Sequence, residues 1–322
     1  MNKKMVSAPG KLMLMGEHAV VYDHPCLVTA VDQRMWVTIE LMDNQEFWLE
    51  AKDVGIKEHK KTLKDLGKGG IPKGAKFVEL AVKNIIEKYS LKSGFKVVTK
   101  SEFSSEFGFG SSSASTVCTI KAISEIFKLN LSHKEIFDIS YKTVLDIQGK
   151  GSGFDVAASV YGGTLYFLTG GRAIKPFGIK SLPLVVGYSG VKADTAQLIN
   201  KVKEDYFTKK DRLDEIYNKI EVLVNQGKDA LVKRDWKALG KLMNKNQEYL
   251  VELGVSSGML DKMIEAVLQA EAYGAKLSGA GGGDCMIAIV SEGKKEAVKR
   301  AILSTGGTIV NVETDAEGVK VE

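Results

Sequence analysis

Short apolar segments separated by turn residues dominate the first half of the chain. Lys11 to Met15, Cys26 to Val31 and Trp36 to Leu41 are predicted strands, because each is apolar or β-branched and bounded by turn residues. Ala8-Pro9-Gly10 precedes the first strand and predicts a break there. From Phe77 to Tyr89 the apolar residues return at helical spacing, which predicts an amphipathic helix.

The second half has stronger helical periodicity. Leu213 to Tyr273 predicts several packed helices, with breaks near Gly227, Arg234 and Gly254. Together the two halves predict a mixed α/β (α+β) fold. A length of 322 residues favours two domains, and we place their boundary at the polar connection after residue 170. The predicted domains are therefore residues 1–170 and 171–322.

A second helix is predicted after Ser132. Its hydroxyl can accept a hydrogen bond from the backbone of Glu135, and the Glu135 carboxylate can accept one in return, which is a capping box. The helix should continue through Leu145.

The stretch from Glu106 to Lys121 is the first candidate for chemistry. It contains two glycines and then three serines, namely Gly108, Gly110, Ser111, Ser112 and Ser113. Glycine permits a positive φ and serine is a strong helix cap, so this loop should point several free backbone N–H groups at one place. A helix N-terminus carries roughly half a positive charge, and phosphate is the common anion that fits it. The alternative is a capped helix after a flexible turn.

Ionisable residues near two other glycine-containing turns are further candidates. Lys11, Glu17 and His18 lie within eight positions, among strands that should be buried, and burying them without a function is unfavourable. Asp155 follows three glycines in five residues. Its carboxylate could face a cleft, or it could cap the helix that follows.

Composition and charge exclude several classes of protein. The net charge of +5 comes from lysines interspersed with acidic residues, which indicates a solvated surface and no nucleic-acid interface, although it favours an anionic substrate. The chain has no apolar run of about 18 residues, so we expect a cytoplasmic protein with no membrane partner. Cys26, Cys118 and Cys285 are expected to be buried reduced thiols. No histidine has metal-ligand spacing, so zinc is not expected.

Three motifs occurring in a fixed order resemble the GHMP kinase superfamily. They are Pro9-Gly10-Lys11 with Gly16 to Tyr22, then Gly108 to Ala114, then Lys276 to Cys285. The likeness covers nearly the whole chain. Within the superfamily, Gly16 to Tyr22 is similar to the mevalonate kinases. Gln148 to Ala158, however, is similar to the phosphomevalonate kinases, and so is Gly283-Asp284-Cys285.

The resemblance implies a two-domain GHMP kinase fold with the active site in the cleft between the domains. The first domain would resemble a ribosomal-protein fold. ATP and Mg²⁺ would be the cofactors. The partner would be a small-molecule substrate, and the protein would form a homodimer. The reaction implied is transfer of the γ-phosphoryl group to the 5-hydroxyl of mevalonate, with phosphomevalonate as the alternative acceptor. That alternative needs extra cations, for which Lys150 and Lys192 are the candidates, although both read more simply as solvated loop lysines.

Individual roles also follow from the resemblance. Asp155 and Lys11 match the family's catalytic aspartate and the lysine beside it. ATP phosphates would lie on the loop formed by Gly108, Gly110, Ser111, Ser112 and Ser113. The substrate would meet Glu17, His18, Thr195, Gly279 and Ala280.

The metal ligands are the least complete part of the resemblance. Ser112 matches the second serine of the family's Gly-Leu-Gly-Ser-Ser-Ala motif, whose hydroxyl ligates Mg²⁺. The second ligand is often a glutamate eleven residues before the catalytic aspartate, where this chain has Val144. Asp146 is the nearest carboxylate and could substitute. Alternatively the metal could rely on Ser112, phosphates and water.

Overall fold

The computed structural model describes residues 2–322 and confirms the mixed α/β class. Its strands are β1 Lys3–Met15, β2 Pro25–Met42, β3 Glu46–Ala51, β4 Ile56–Thr62, β5 Gly94–Ser101, β6 Thr164–Leu168, β7 Ala173–Phe177, β8 Leu184–Tyr188, β9 Gly274–Ser278, β10 Cys285–Ile289, β11 Thr308–Val310 and β12 Lys320–Val321. Its α-helices are α1 Lys76–Tyr89, α2 Ser111–Ile126, α3 His133–Gln148, α4 Phe154–Tyr161, α5 Thr195–Asp205, α6 Lys210–Lys233, α7 Trp236–Glu252, α8 Gly258–Gln269 and α9 Lys295–Ser304. Most of these elements belong to two sheets and the helices packed on them.

The larger sheet has eight strands, built around the long antiparallel pair β1 and β2. Its main path runs β12-β1-β2-β5-β3-β4, and β6 and β7 extend it beside β2. The predicted break at Pro9-Gly10 is wrong, because β1 continues through it with a shift of register between these two residues. Proline lacks a backbone donor, and a bulge is one of the few places where a strand tolerates it.

Helices α2 and α4 pack on the larger sheet, and α1 and α3 pack on α2 and on each other. The helix predicted at Phe77 to Tyr89 is confirmed as α1. The capping box at the start of α3 is also confirmed: the backbone N–H of Ser132 donates to the Glu135 carboxylate at 2.9 Å, and Glu135 returns a bond to the Ser132 hydroxyl. Local sequence alone therefore predicted the starts of α1 and α3.

The smaller sheet has four antiparallel strands in the order β11-β8-β10-β9. Helices α7, α8 and α9 pack against it, while α6 packs against α7 and reaches β2. The predicted break near Gly227 is wrong, since α6 passes through that residue. A Cβ atom there would stand 2.6 Å from the Met15 sulfur, so the glycine allows α6 to approach β1 closely.

The two halves of the chain are linked at several places. Strands β7 and β12 come from the second half but pair with β6 and β1 of the larger sheet. The Ser278 hydroxyl, at the end of β9, accepts from the backbone N–H of Met13 at 2.9 Å and donates to its carbonyl at 3.0 Å. The boundary predicted near residue 170 stays a prediction. These contacts show that segments of the second half pair with strands of the first half.

The remaining physical expectations concern thiols and membranes. Cys26, Cys118 and Cys285 are all buried and free, as expected. Burial raises the pKa of each thiol. Among residues 2–322, no helix has both the length and the apolar character needed to cross a bilayer.

Candidate active site

A cavity of about 400 Å³ lies where the loops of the two halves meet. It is lined by residues from each of the three motifs, and these include the predicted residues Lys11, Glu17, His18, Gly108, Gly110, Ser111, Ser112, Asp155, Thr195, Gly279 and Ala280. These residues come from positions spread over most of the sequence. The structure therefore brings nearly all the predicted site residues to one place.

The phosphate loop, residues 108–113, reaches this cavity at the N-terminus of α2. Gly110 is the N-cap residue and has a φ of 80°, a conformation that favours glycine. No serine side chain caps the helix, so the part of the prediction that gave serine this role is wrong. The first-turn N–H groups of α2 have no acceptor within the helix, which leaves the positive end of its dipole available to an anion.

Lys11 and Asp155 flank the phosphate loop. The Lys11 ammonium donates to the Gly108 carbonyl at 2.6 Å, and the backbone N–H of Lys11 donates to the Phe109 carbonyl at 3.0 Å. A Cβ atom on Gly110 would stand 3.3 Å from Lys11 Cε and 3.6 Å from Asp155 Cβ, so all three residues are neighbours. Burial lowers the pKa of Lys11, and the charge of Asp155 opposes this shift.

Asp155 lies in the first turn of α4, whose N-cap residue is Gly153. The Asp155 Oδ1 atom accepts from the backbone N–H of Val156 at 3.1 Å, and its Oδ2 atom accepts from the Ser113 hydroxyl at 2.6 Å. The carboxylate is thus held on both oxygens while its residue lines the cavity. Ser113 itself does not line the cavity, in contrast to Ser111 and Ser112.

Glu17 forms a buried ion pair that sequence reasoning missed. Its Oε1 atom accepts from the ammonium of Lys276, and both side chains are fully buried. Burial raises the pKa of Glu17 and lowers that of Lys276, while each charge opposes the shift of the other. The second oxygen, Oε2, has no partner within residues 2–322. Glu17 is among the residues that line the cavity, although this oxygen atom is itself shielded from solvent.

His18 connects the first motif to the third. Its Nε2 atom donates to the Ala280 carbonyl at 2.8 Å, because a carbonyl can only accept. This leaves Nδ1 as the acceptor of the neutral ring, and burial lowers the pKa of His18, which favours that neutral form. The residue has a φ of 60°, uncommon for a residue with a side chain.

Asp284 is a cavity residue that was not among the predicted site residues. It is buried, it has a φ of 55°, and its Oδ1 atom accepts from the backbone N–H of Ala193 at 2.9 Å. Burial raises the pKa of Asp284, and the Ala193 hydrogen bond and the ammonium of Lys11 oppose the shift. A Cβ atom on Gly108 would lie 2.4 Å from Asp284 Oδ2, so this carboxylate packs directly against the phosphate loop. The signal in the sequence was the single acidic residue in the third glycine-rich run.

Asp146 is the predicted site residue that does not join the others. It is absent from the cavity lining, and its carboxylate accepts from Asn84 at 2.9 Å and from Lys142 at 2.5 Å. Val144, by contrast, does line the cavity. Among residues 2–322, no three acidic, histidine or cysteine side chains are grouped closely enough to hold a metal ion. The geometry therefore gives no support to Asp146 as a metal ligand.

Three lysines besides Lys11 line the cavity, namely Lys73, Lys150 and Lys192. The Lys150 ammonium lies 4.3 Å from the centre of the Tyr22 ring, within range of a cation–π interaction. Lys150 and Lys192 are exposed loop lysines, as the simpler interpretation expects, and both also line the cavity.

Comparison with known protein families identifies the family of the chain. Residues 76–163 match the model of the GHMP kinases N-terminal domain, and residues 228–307 match that of the GHMP kinases C-terminal domain. The chain belongs to the GHMP kinase family. Residues 2–41 also match the galactose-binding signature of galactokinases. Family membership makes the protein a kinase that uses ATP and a small-molecule substrate.

Individual members of the GHMP kinase family resemble the chain over almost its entire length. The mevalonate kinase of Thermococcus sibiricus is 35% identical, covering 99% of this chain and 98% of that protein. The mevalonate kinase of Pyrococcus abyssi is also 35% identical, covering 99% of this chain and 97% of that protein. Among solved structures, the mevalonate kinase of Methanococcus jannaschii superposes with a TM-score of 0.81 at 29% identity, covering 96% of this chain and 98% of that one.

Proposed function

We propose that this GHMP kinase transfers the γ-phosphoryl group of ATP to the 5-hydroxyl of mevalonate. The observation that carries the proposal is the full-length similarity to proteins named mevalonate kinase, at 35% identity. The cavity supports it, because a phosphate loop, a carboxylate and an ammonium line the same space. Phosphoryl transfer depends mainly on such positioning and charge stabilisation.

In the proposed complex, the ATP phosphates lie on the loop of residues 108–113. The first-turn N–H groups of α2 would donate to phosphate oxygens, and Gly110 lets them approach without a side chain in the way. Ser111 and Ser112, which line the cavity, would add hydroxyl donors. A helix N-terminus is suited to this task because its unpaired donors and its dipole act in the same direction.

Asp155 would accept or orient the proton of the substrate hydroxyl. Its carboxylate is held by two hydrogen bonds, which limits the positions it can take. Lys11, next to it across Gly110, would stabilise negative charge on the transferring group. The Gly108 carbonyl holds the ammonium close to the phosphate loop.

The substrate would occupy the part of the cavity lined by Glu17, His18, Thr195, Gly279 and Ala280. His18 Nδ1 is an acceptor, so it suits a hydroxyl group of the substrate, and Glu17 lies beside it in the cavity lining. The lysines at the rim suit its carboxylate.

Mg²⁺ fits the oxygen-rich part of the site, although protein ligands are few. The Ser112 hydroxyl at the cavity wall and the Asp155 carboxylate are oxygen donors of the kind Mg²⁺ prefers, and this ion usually keeps several waters. When bound, the ion would neutralise charge on the ATP phosphates. We therefore favour a site built from Ser112, phosphates and water over one that includes Asp146, which is engaged by Asn84 and Lys142.

Three further proposals concern organisation. They are a division into domains 1–170 and 171–322, a homodimer and a cytoplasmic location. Limited proteolysis, light scattering and cell fractionation address them in turn.

The function is tested by measuring ADP release with mevalonate and with phosphomevalonate side by side. We expect turnover of mevalonate in the wild type. Asp155→Ala should lower kcat by about 10² to 10⁴, the usual contribution of general acid–base catalysis, while ATP binding is kept. Asp138→Ala is a matched control, because that carboxylate is exposed on α3 and pairs with Lys134. Turnover of phosphomevalonate alone would overturn the proposed acceptor, and wild-type kcat in Asp155→Ala would remove this residue from the mechanism.

A further inference from the structure

Four of the buried hydroxyl residues of α2, namely Ser113, Ser115, Thr116 and Thr119, make two different kinds of contact. Ser115 and Thr116 donate to the Ser112 carbonyl, and Thr119 donates to the Ser115 carbonyl. Serine and threonine hydroxyls inside a helix commonly donate to a carbonyl of the preceding turn. Ser113 differs, because its hydroxyl leaves the helix and donates to Asp155 Oδ2 on α4.

The contact between Ser113 and Asp155 is short and shielded. The distance is 2.6 Å, typical of a hydroxyl that donates to a carboxylate, and Ser113 is only 1% exposed. Low exposure strengthens a hydrogen bond because water does not compete for the donor. Ser113 is also the one serine of the phosphate loop that does not line the cavity.

The same contact joins two elements with different tasks in the proposed reaction. α2 begins at the phosphate loop, and α4 carries the carboxylate in its first turn. Ser113 is therefore a direct link between the position of the phosphates and the position of Asp155.

We propose that Ser113 is a positioning residue that holds Asp155 in register with the phosphate loop, and that it does not contact nucleotide. This inference rests on the proposed function and corrects the expectation that Ser113 binds phosphate. With Oδ2 occupied by Ser113 and Oδ1 oriented by the Val156 N–H, the carboxylate has one defined orientation toward the substrate hydroxyl. Loss of the Ser113 hydroxyl frees the side chain to rotate, which slows the chemical step and leaves ATP binding intact.

The kinetic test compares Ser113→Ala with Ser124→Ala. The two serines lie on the same helix and are each 1% exposed, but the nearest partner of the Ser124 hydroxyl is the backbone of Leu131 at 3.4 Å, far from the site. Hydrogen bonds to charged groups are strong enough that we expect kcat of Ser113→Ala to fall about tenfold to a hundredfold. The KM and Kd for ATP should stay within about twofold, and Ser124→Ala should keep wild-type kcat. A raised Kd for ATP with unchanged kcat, or unchanged values throughout, would overturn the inference.

A second measurement is independent of catalysis. The urea unfolding midpoints of Ser113→Ala, Asp155→Asn and the double variant form a double-mutant cycle. We expect the double variant to shift the midpoint by less than the sum of the two single shifts, because each change removes the same contact. Additive shifts would refute the contact. The two measurements can also disagree. If the wild type does not turn over mevalonate but the unfolding shifts are non-additive, the proposed function is refuted and the contact between Ser113 and Asp155 is supported.

Discussion

Replacing Gly110 with alanine should displace Lys11 at the centre of the site and lower kcat. The new Cβ atom would stand 3.3 Å from Lys11 Cε, which is tighter than ordinary contact, and 3.6 Å from Asp155 Cβ. The lysine must therefore move by a few tenths of an ångström. A misplacement of about 1 Å can lower an enzymatic rate about 10²-fold, so we expect this smaller shift to lower kcat about tenfold.

Backbone strain adds an effect on stability. Gly110 has a φ of 80°, and a residue with a Cβ in that conformation costs roughly 1–2 kcal/mol. For a chain of this size the melting temperature should fall by a few degrees. Gly55→Ala is the matched control, because Gly55 has a φ of 78° and a Cβ there would meet nothing within 4 Å. Both variants carry the same strain, and only one of them presses on Lys11.

The assay is steady-state ADP release at saturating ATP and mevalonate, paired with thermal unfolding of each variant. We expect similar losses of melting temperature in the two variants and a loss of kcat in Gly110→Ala alone. Wild-type kcat in Gly110→Ala would refute the argument that the position of Lys11 controls the rate. An equal loss of kcat in Gly55→Ala would attribute the effect to general destabilisation.

Two further predictions concern one buried and one exposed charge. Lys276→Met leaves the Glu17 carboxylate buried without its ion-pair partner, so the free energy of unfolding measured with urea should fall by about 3–5 kcal/mol, and a loss below about 1 kcal/mol would contradict the pairing. Asp146→Asn should leave the Mg²⁺ concentration needed for half-maximal activity unchanged, because its carboxylate is engaged by Asn84 and Lys142. A raised Mg²⁺ requirement would restore Asp146 as a ligand.

Features that depend on neighbouring residues were predictable from the sequence. The capping box joins Ser132 and Glu135 across three positions, and the apolar spacing of α1 is a property of one helix. The phosphate loop was predictable for the same reason, because the conformational preferences of glycine and serine act on adjacent residues. Its cap was misjudged because Gly110, and not a serine, takes that position.

Features that depend on distant contacts were not predictable in this way. Lys276 and Glu17 are 259 positions apart, and nothing in either segment alone indicates that they pair. Gly227 was expected to interrupt a helix, but the close approach of Met15 gives the glycine a packing role inside α6. A pattern in one segment cannot reveal what another segment will place against it. Motif resemblance supplied part of this missing information for Lys11 and Asp155, because it grouped residues from different segments.

The Ser278 hydroxyl that bonds both the N–H and the carbonyl of Met13 has a consequence for turnover. Both bonds are buried, so opening the cleft at its floor would expose two polar groups of β1 and break both bonds at once. We expect substrate exchange to use movement of the connecting segments that carry Lys73 and Ser105, which also line the cavity. On this expectation, Ser278 and Met13 stay bonded through each turnover, and movement of those segments limits the release of product.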